Sequence, residues 1–195
     1  MIGIMTYIYR AIGILLGMVC HEWAHGFTSY KLGDPTPKRD GRLSLNPLKH
    51  LDPIGALCLL LGGFGWAKPV SVNHEYYKDA KKGMAITALA GPLANLLMVI
   101  LTISLNKHFF GMSSSFLFTV SSINLSLFIF NLIPIPPLDG SKILAMFLPE
   151  HIYDKYMQIE RYGFFILIML VMVGAFNGVL STAMSFVFSI LYSIL

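Results

Sequence analysis

The sequence predicts an all-α, polytopic membrane protein with about five transmembrane helices, a re-entrant or interfacial segment and a small β-sheet close to the functional residues. Hydrophobic residues make up 55% of the 195 residues and charged residues only 12%. A soluble fold of this size would lack the charge to cover its surface. In addition, apolar segments close to the length of a bilayer span recur along the chain, and basic residues gather between them.

The first predicted helix covers residues 4–30. It lacks the basic start and the small-residue cleavage site of a secretory signal, so we expect a retained transmembrane helix. The helix should end near residues 32–35, because glycine caps helix ends and proline cannot continue a helix.

Residues 31–83 are mixed rather than helical. Residues 42–45 and 69–72 each show the two-residue alternation of a strand and are bounded by turn residues, which predicts a small sheet. Between them, residues 54–66 are apolar but number only 13, too few to span a membrane. A re-entrant or interfacial segment fits them best.

Two uncharged spans follow, at residues 84–106 and 116–132, and the first is interrupted by Gly91-Pro92. Residues 133–140 cannot form a regular helix, because three prolines remove amide donors. We expect a short helix over residues 141–148.

The chain closes with two apolar segments, residues 162–176 and 179–195. Asn177-Gly178 between them is a turn signal, so the two segments should form a helical hairpin.

Lysine and arginine predict the orientation. Of the 14, nine lie in residues 31–82 and three in residues 142–161, two loops that an up-and-down threading places on one side. The positive-inside rule makes both loops cytoplasmic and puts the amino terminus outside, in a multi-pass protein of the cell membrane. The net charge of +4 thus indicates orientation rather than a nucleic-acid partner. The basic residues of 78–82 suit anionic lipid headgroups.

A His-Glu-x-x-His pattern occupies residues 21–25, inside the first predicted helix. Positions i and i+4 share one face of a helix, so His21 and His25 can hold one zinc ion, with Glu22 in reach of a metal-bound water. The pattern is typical of zinc hydrolases. Ionisable side chains in an apolar helix are costly unless a function compensates, which favours a metal site over a chance match.

A zinc hydrolase needs a third ligand at the same membrane depth. Asp139 is preferred, because it follows a proline-broken segment deep in the apolar region, where a lone carboxylate needs a cation. A simple turn role is the alternative, since Leu-Asp-Gly after proline is ordinary turn chemistry. The other possible donors are His50, Asp52, His74, Glu75 and His151.

Asparagines inside the spans have a simple explanation as interhelical hydrogen bonds. Asn95 and Asn131 are also candidates for substrate binding or oxyanion support. Val70 and Val72 join them, because the edge of their predicted strand could hold an unwound peptide by main-chain hydrogen bonds.

These motifs resemble the site-two protease family of intramembrane zinc metalloproteases. The similarity rests on residues 21–25, on Gly-Pro-Leu-Ala-Asn at residues 91–95, on Asn-Leu-Ile-Pro at residues 131–134 and on Pro-Leu-Asp-Gly at residues 137–140. Residues 41–47 and 65–70 are similar to the small bacterial and archaeal branch. The resemblance covers most of the chain to about Leu148.

The resemblance implies a zinc ion held by His21, His25 and Asp139, with Glu22 as general base and acid and a site open to the cytoplasm. It implies an endopeptidase that cleaves within or near transmembrane segments of membrane proteins, in contact with the lipid bilayer. We expect one domain over residues 1–195, with a catalytic core over about 1–148 and the hairpin over about 162–195. This length leaves no room for the PDZ or CBS domain of many relatives, and the oligomeric state is left open.

Three other functions remain open, and one of them, a catalytically silent binding module, would usually have lost Glu22. A divalent-metal transporter would use histidines and carboxylates across the bilayer, whereas one cluster on one side is visible here. Another type of membrane zinc peptidase could take Glu75 or Glu150 as third ligand, although neither lies in an apolar context as Asp139 does.

Overall fold

The computed structural model describes residues 3–52, 55 and 68–195, and this part of the chain is predominantly helical, as predicted. Its α-helices are α1 (Ile4–Lys31), α2 (Thr36–Arg39), α3 (Ala80–Phe110), α4 (Ser115–Asn131), α5 (Asp139–Ala145), α6 (Glu150–Gln158), α7 (Glu160–Met172) and α8 (Asn177–Ile194). Short 3-10 helices cover Pro47–Lys49 and His74–Tyr76.

Two helices of the described part, α1 and α3, are long and apolar enough to cross a membrane. They have 28 and 31 residues, whereas α4, α7 and α8 have 17, 13 and 18. A hydrocarbon core of about 30 Å needs about 20 helical residues. Within the described residues, two of the five predicted spans are thus long enough to cross a membrane by themselves.

The end of α1 agrees with the prediction. The Leu32 amide donates to the Thr28 carbonyl at 3.0 Å, and Gly33 follows with a φ of +110°. A side chain would strain the backbone at that angle, so glycine is the residue that lets the chain leave the helix here.

Helix α3 runs through Gly91 and Pro92 without a break, so the predicted interruption is wrong. A proline inside a helix costs about 3 kcal/mol. Helix α3 contacts α1, α4 and α5 along its length, and this burial on several sides offsets that cost. The helix is therefore the centre of the bundle.

The two predicted strands are not strands. Residues 42–45 and 69–72 are irregular, and no strand pairing is assigned within either segment. Their backbone groups pair with side chains instead: the Ser44 carbonyl accepts from His50 Nε2 at 2.6 Å, and the Val70 amide donates to Glu22. Alternation shows which side chains face the protein, not whether a second strand lies alongside.

The predicted re-entrant segment, residues 54–66, lies outside the described residues apart from Gly55. The proline-rich residues 133–138 are irregular, as predicted, and α5 begins at Asp139, two residues before the predicted start. The two closing apolar segments form α7 and α8, but the break between these helices precedes the predicted turn. Gly174, with a φ of +70°, lies in the break at residues 173–176, and Asn177 already begins α8.

The apolar core lies between α3 and α4. Val99, Ile103 and Leu125 are at most 1% exposed, and side chains of α8 such as Val187 and Phe188 pack against them. The core therefore holds α3 and α4 in a fixed relation, with α8 against them.

Candidate metal centre

Three predicted ligand residues meet at one point. His21 and His25 lie one turn apart on α1, and Asp139 is the first residue of α5. Asp139 Oδ2 lies 3.1 Å from His21 Nε2 and 3.3 Å from His25 Nε2, and the two Nε2 atoms are 2.9 Å apart. The structure brings these three side chains together from helices that are more than 100 residues apart in sequence.

The turn before α5 delivers Asp139 because it folds back tightly. A Cβ added at Gly140 would lie 2.3 Å from the Leu132 carbonyl oxygen. No side chain fits in that space, so the glycine after Asp139 allows the end of α4 to approach the start of α5.

Each histidine is oriented by a hydrogen bond at its other ring nitrogen. His21 Nδ1 lies 2.7 Å from Asn95 Oδ1, and His25 Nδ1 lies 2.7 Å from the Thr87 carbonyl oxygen. Both partners are acceptors, so both Nδ1 atoms carry the proton. Both Nε2 lone pairs therefore face Asp139, the arrangement that metal-binding histidines adopt.

The donor set fits a zinc ion. Two unprotonated imidazole nitrogens and a carboxylate oxygen converge, and Asp139 Oδ2 is buried without a hydrogen-bond donor among the described residues. Three acceptors at this spacing repel one another unless a cation lies between them. Zn–N distances of about 2.0–2.1 Å put tetrahedral ligand atoms roughly 3.3 Å apart, close to the separations found here.

Gly91 gives the histidines their space. A Cβ at this position would lie 2.4 Å from His25 Nε2 and 2.7 Å from His21 Cε1. Helix α3 can therefore pass this close to the histidine Nε2 side only at a glycine. The sequence predicts that Gly91-Pro92 interrupts the span, whereas the glycine allows this close approach.

Glu22 lies beside the cluster and not in it. Its Oε2 accepts a hydrogen bond from the Val70 amide at 2.9 Å. No hydrogen bond to Glu22 Oε1 is found in the part of the chain that the structure describes. One oxygen is thus held by the backbone, and the other is free of such a bond within the described residues.

Asn95 lies behind His21 rather than on the open side of the cluster. It is fully buried, and its Nδ2 donates to the Gly17 carbonyl at 3.1 Å and to Asn124 Oδ1 at 3.0 Å. These two bonds identify the atom that faces His21 as the oxygen. The contacts of Asn95 therefore orient a histidine, and both of its amide hydrogens are already donated.

A cavity of about 970 Å³ opens beside the cluster. Val70, Val72 and Asn131 line it together with the ligand residues, and Asn131 Nδ2 also donates to the Leu127 carbonyl at 3.0 Å. Val70 and Val72 are half-buried and Ser71 is exposed, so the alternation in the sequence does describe which side chains face the protein.

The other possible donors do not join this group, although His74 lines the same cavity. Within the described residues, only His21, His25 and Asp139 form a group of three or more that could hold an ion. His50 is fully buried against Ser44, and Glu75 receives a hydrogen bond from Asn73. Sequence reasoning missed Thr87, and no signal could have found it, because it contributes a backbone carbonyl that any residue type offers.

Comparisons with known proteins agree with this chemistry. The family that matches is described as Peptidase family M50, over residues 99–174. "Putative zinc metalloprotease YwhC" of Bacillus subtilis (strain 168) is 38% identical over 173 residues, 83% of this chain and 79% of the relative. Rip2 of Mycolicibacterium smegmatis is 28% identical over 88% of this chain and 70% of the relative, and MJ0611 of Methanocaldococcus jannaschii is 28% identical over 73% and 72%. Both carry the same zinc metalloprotease description. No solved structure matches the chain significantly.

Proposed function

This chain belongs to peptidase family M50, the site-two protease family, and on that premise we propose that it is an endopeptidase that cleaves within or near transmembrane segments of membrane proteins. Zinc dependence, proteolysis and a membrane location belong to the family. The proposal adds the place of cleavage, the roles of individual residues and the orientation in the membrane.

One observation carries the proposal. The ligand atoms of His21, His25 and Asp139 lie within 4.8 Å of one another, and both histidines belong to a helix long and apolar enough to cross a membrane. Placing three ionisable groups in such a setting is costly unless they hold a cation. A hydrolase built on this helix would meet its substrate inside the bilayer.

His21 Nε2, His25 Nε2 and Asp139 Oδ2 would hold the ion and leave a fourth position open. Bound zinc supplies Lewis acidity, which activates a water molecule at neutral pH and polarises the scissile carbonyl. Glu22 would take the proton from the attacking water at Oε1 and pass it to the leaving amine nitrogen. Asn95 and the Thr87 carbonyl would keep both imidazoles in the tautomer that binds metal.

The substrate must present an unwound segment, because a helix hides its carbonyls in its own hydrogen bonds. The cavity beside Glu22 has room for such a segment, and Val70, Val72 and Asn131 would line its path. The proposed partner is therefore a membrane-spanning protein whose transmembrane segment can unwind locally.

The proposed architecture is a single multi-pass domain in the cell membrane. Helices α1 and α3 would span fully, and α4, α7 and α8 would complete five spans, with the core over about residues 1–148 and the hairpin over about 162–195. The basic loops put the amino terminus outside and the cluster on the cytoplasmic side.

Purified wild type and Glu22→Gln, each reconstituted in liposomes with a membrane-spanning reporter, test this function. We expect the variant to keep its zinc and to lose cleavage by at least about a hundredfold, as for loss of a general base. The same reporter segment in a soluble carrier is the control for intramembrane preference. Zinc-loaded wild type that leaves all membrane reporters intact would refute the proposal, and zinc uptake by the liposomes without cleavage would favour the transporter.

A further inference from the structure

We propose that Asp34 is a positioning residue that fixes the Glu22 carboxylate through the backbone of residues 70–73, an inference that rests on the general-base role proposed for Glu22. Asp34 lies after the end of α1, away from the reacting atoms. It would act on them only through the segment that it holds.

Asp34 is a fully buried carboxylate held by hydrogen bonds from three directions. Its Oδ1 accepts from the Thr36 amide at 2.9 Å, the ordinary bond of a turn at a helix end. Its Oδ2 accepts from Ser29 Oγ at 2.8 Å and from the Asn73 amide at 2.8 Å. The turn needs one oxygen only, whereas the second joins the end of α1 to a distant segment.

That segment reaches Glu22 three residues before Asn73. The Val70 amide donates to Glu22 Oε2 at 2.9 Å, and Val70 Cγ1 packs on Gly26, where an added Cβ would lie 3.2 Å away. The segment is therefore fixed to α1 at two points, at Asn73 through Asp34 and at Val70 against the helix face. A glutamate side chain has three rotatable bonds, so a fixed donor at Val70 limits where its carboxylate can lie.

The same carboxylate is linked to the histidine pair. The Tyr77 hydroxyl lies 2.7 Å from Ser29 Oγ, to which it donates, and 3.0 Å from Thr87 Oγ1. Ser29 in turn donates to Asp34, and the carbonyl of the same Thr87 accepts from His25. An asparagine at position 34 would present a donor to one of the groups that now donate to Asp34. At least one of the three bonds would be lost, and those that remain would go to a neutral oxygen, which is a weaker acceptor than a carboxylate.

Amide hydrogen exchange tests whether Asp34 holds residues 70–73 in place, and the experiment needs no enzyme activity. We compare wild type with Asp34→Asn and with Asp40→Asn, the same chemical change at an exposed residue six positions along. The Val70 and Asn73 amides should exchange about tenfold faster or more in Asp34→Asn, as expected for loss of a bond to a charged acceptor. Asp40→Asn should match wild type. Equal exchange in both variants would overturn the proposal.

A double-mutant cycle tests the link to catalysis. Val70→Pro removes the amide N–H that holds Glu22. Val70→Ala keeps this amide, so its kcat should fall less. We expect Asp34→Asn and Val70→Pro each to lower kcat about tenfold at unchanged zinc content, and the double variant to be no slower than the slower single one. Additive losses, loss of zinc in step with kcat, or a gain of activity in Val70→Pro would overturn it. If wild type cleaves nothing, the protease proposal fails, while the exchange experiment still decides the role of Asp34.

Discussion

His21 Nδ1 lies 2.7 Å from Asn95 Oδ1, and this pair joins the histidine motif on α1 to the central helix α3. The Asn95 amide nitrogen is held by Gly17 and Asn124, so its oxygen cannot turn away from His21. The direction of the His21 lone pair is thus set by a buried residue outside the group of three possible metal ligands.

Replacing Asn95 by alanine should weaken zinc binding by about 10- to 100-fold, the usual effect of losing a hydrogen-bond partner behind a metal-binding histidine. Chelator competition measures the affinity. Asn106→Ala is the matched control, because Asn106 is as deeply buried but bonds to Ser114 at the far end of α3. Equal affinities in the two variants would show that Asn95 does not orient His21.

Gly91→Ala should abolish most zinc binding while the protein stays folded. The new Cβ would lie 2.4 Å from His25 Nε2, so one histidine must leave its place. In an open helical position the same change stabilises by about 0.5–1 kcal/mol, and Gly178→Ala, with nothing within 4 Å of an added Cβ, provides that control. Zinc content and melting temperature are measured for both. Full zinc content in Gly91→Ala would contradict the close approach of α3.

The Asp34 carboxylate should make stability depend on pH. Burial raises the pKa of Asp34, but the hydrogen bonds from Thr36, Asn73 and Ser29 outweigh burial, so its pKa lies below the ordinary 3.8. A lowered folded-state pKa stabilises the fold above the unfolded-state pKa, and this stabilisation is lost as pH falls through the folded-state value.

Wild type should therefore melt well above Asp34→Asn at neutral pH, and the gap should close below about pH 4. Thermal unfolding in detergent across this range measures the gap, with Asp40→Asn expected to follow wild type throughout. A gap that stays constant to the lowest pH would mean that the charge of Asp34 is not what stabilises the fold.

Labelling of single cysteines tests the orientation. In a background without Cys20 and Cys58, Ser113→Cys should react with an impermeant maleimide in intact cells, because residues 107–115 are proposed to lie outside. Asp40→Cys should react only after permeabilisation. The reverse pattern would place the cluster on the external side.

Local patterns in the sequence predicted which three side chains the structure brings together. The i, i+4 spacing put His21 and His25 on one helix face, and an apolar, proline-broken setting pointed to Asp139. The residues that orient them were not predictable in the same way. Thr87 acts through its backbone, and the partner of Asn95 depends on how α1 and α3 pack. Asp34 was interpreted only as part of a helix end, because its second oxygen serves a segment that is distant in sequence.

The sequence patterns gave wrong predictions where strand pairing or helix packing decides the local structure. The alternation at residues 69–72 is real, but the Val70 amide bonds to a side chain rather than to a strand. Pro92 lies inside a continuous helix, because α3 is packed by its neighbours strongly enough to tolerate it.

The zinc content of purified Asp139→Asn tests the central claim most directly, with wild type and Glu75→Gln measured alongside. Asp139 Oδ2 meets both histidine Nε2 atoms at 3.1 and 3.3 Å, so its loss should leave an incomplete site. The account predicts about one zinc per chain in wild type and in Glu75→Gln, and far less in Asp139→Asn. Wild-type zinc content in Asp139→Asn would contradict it.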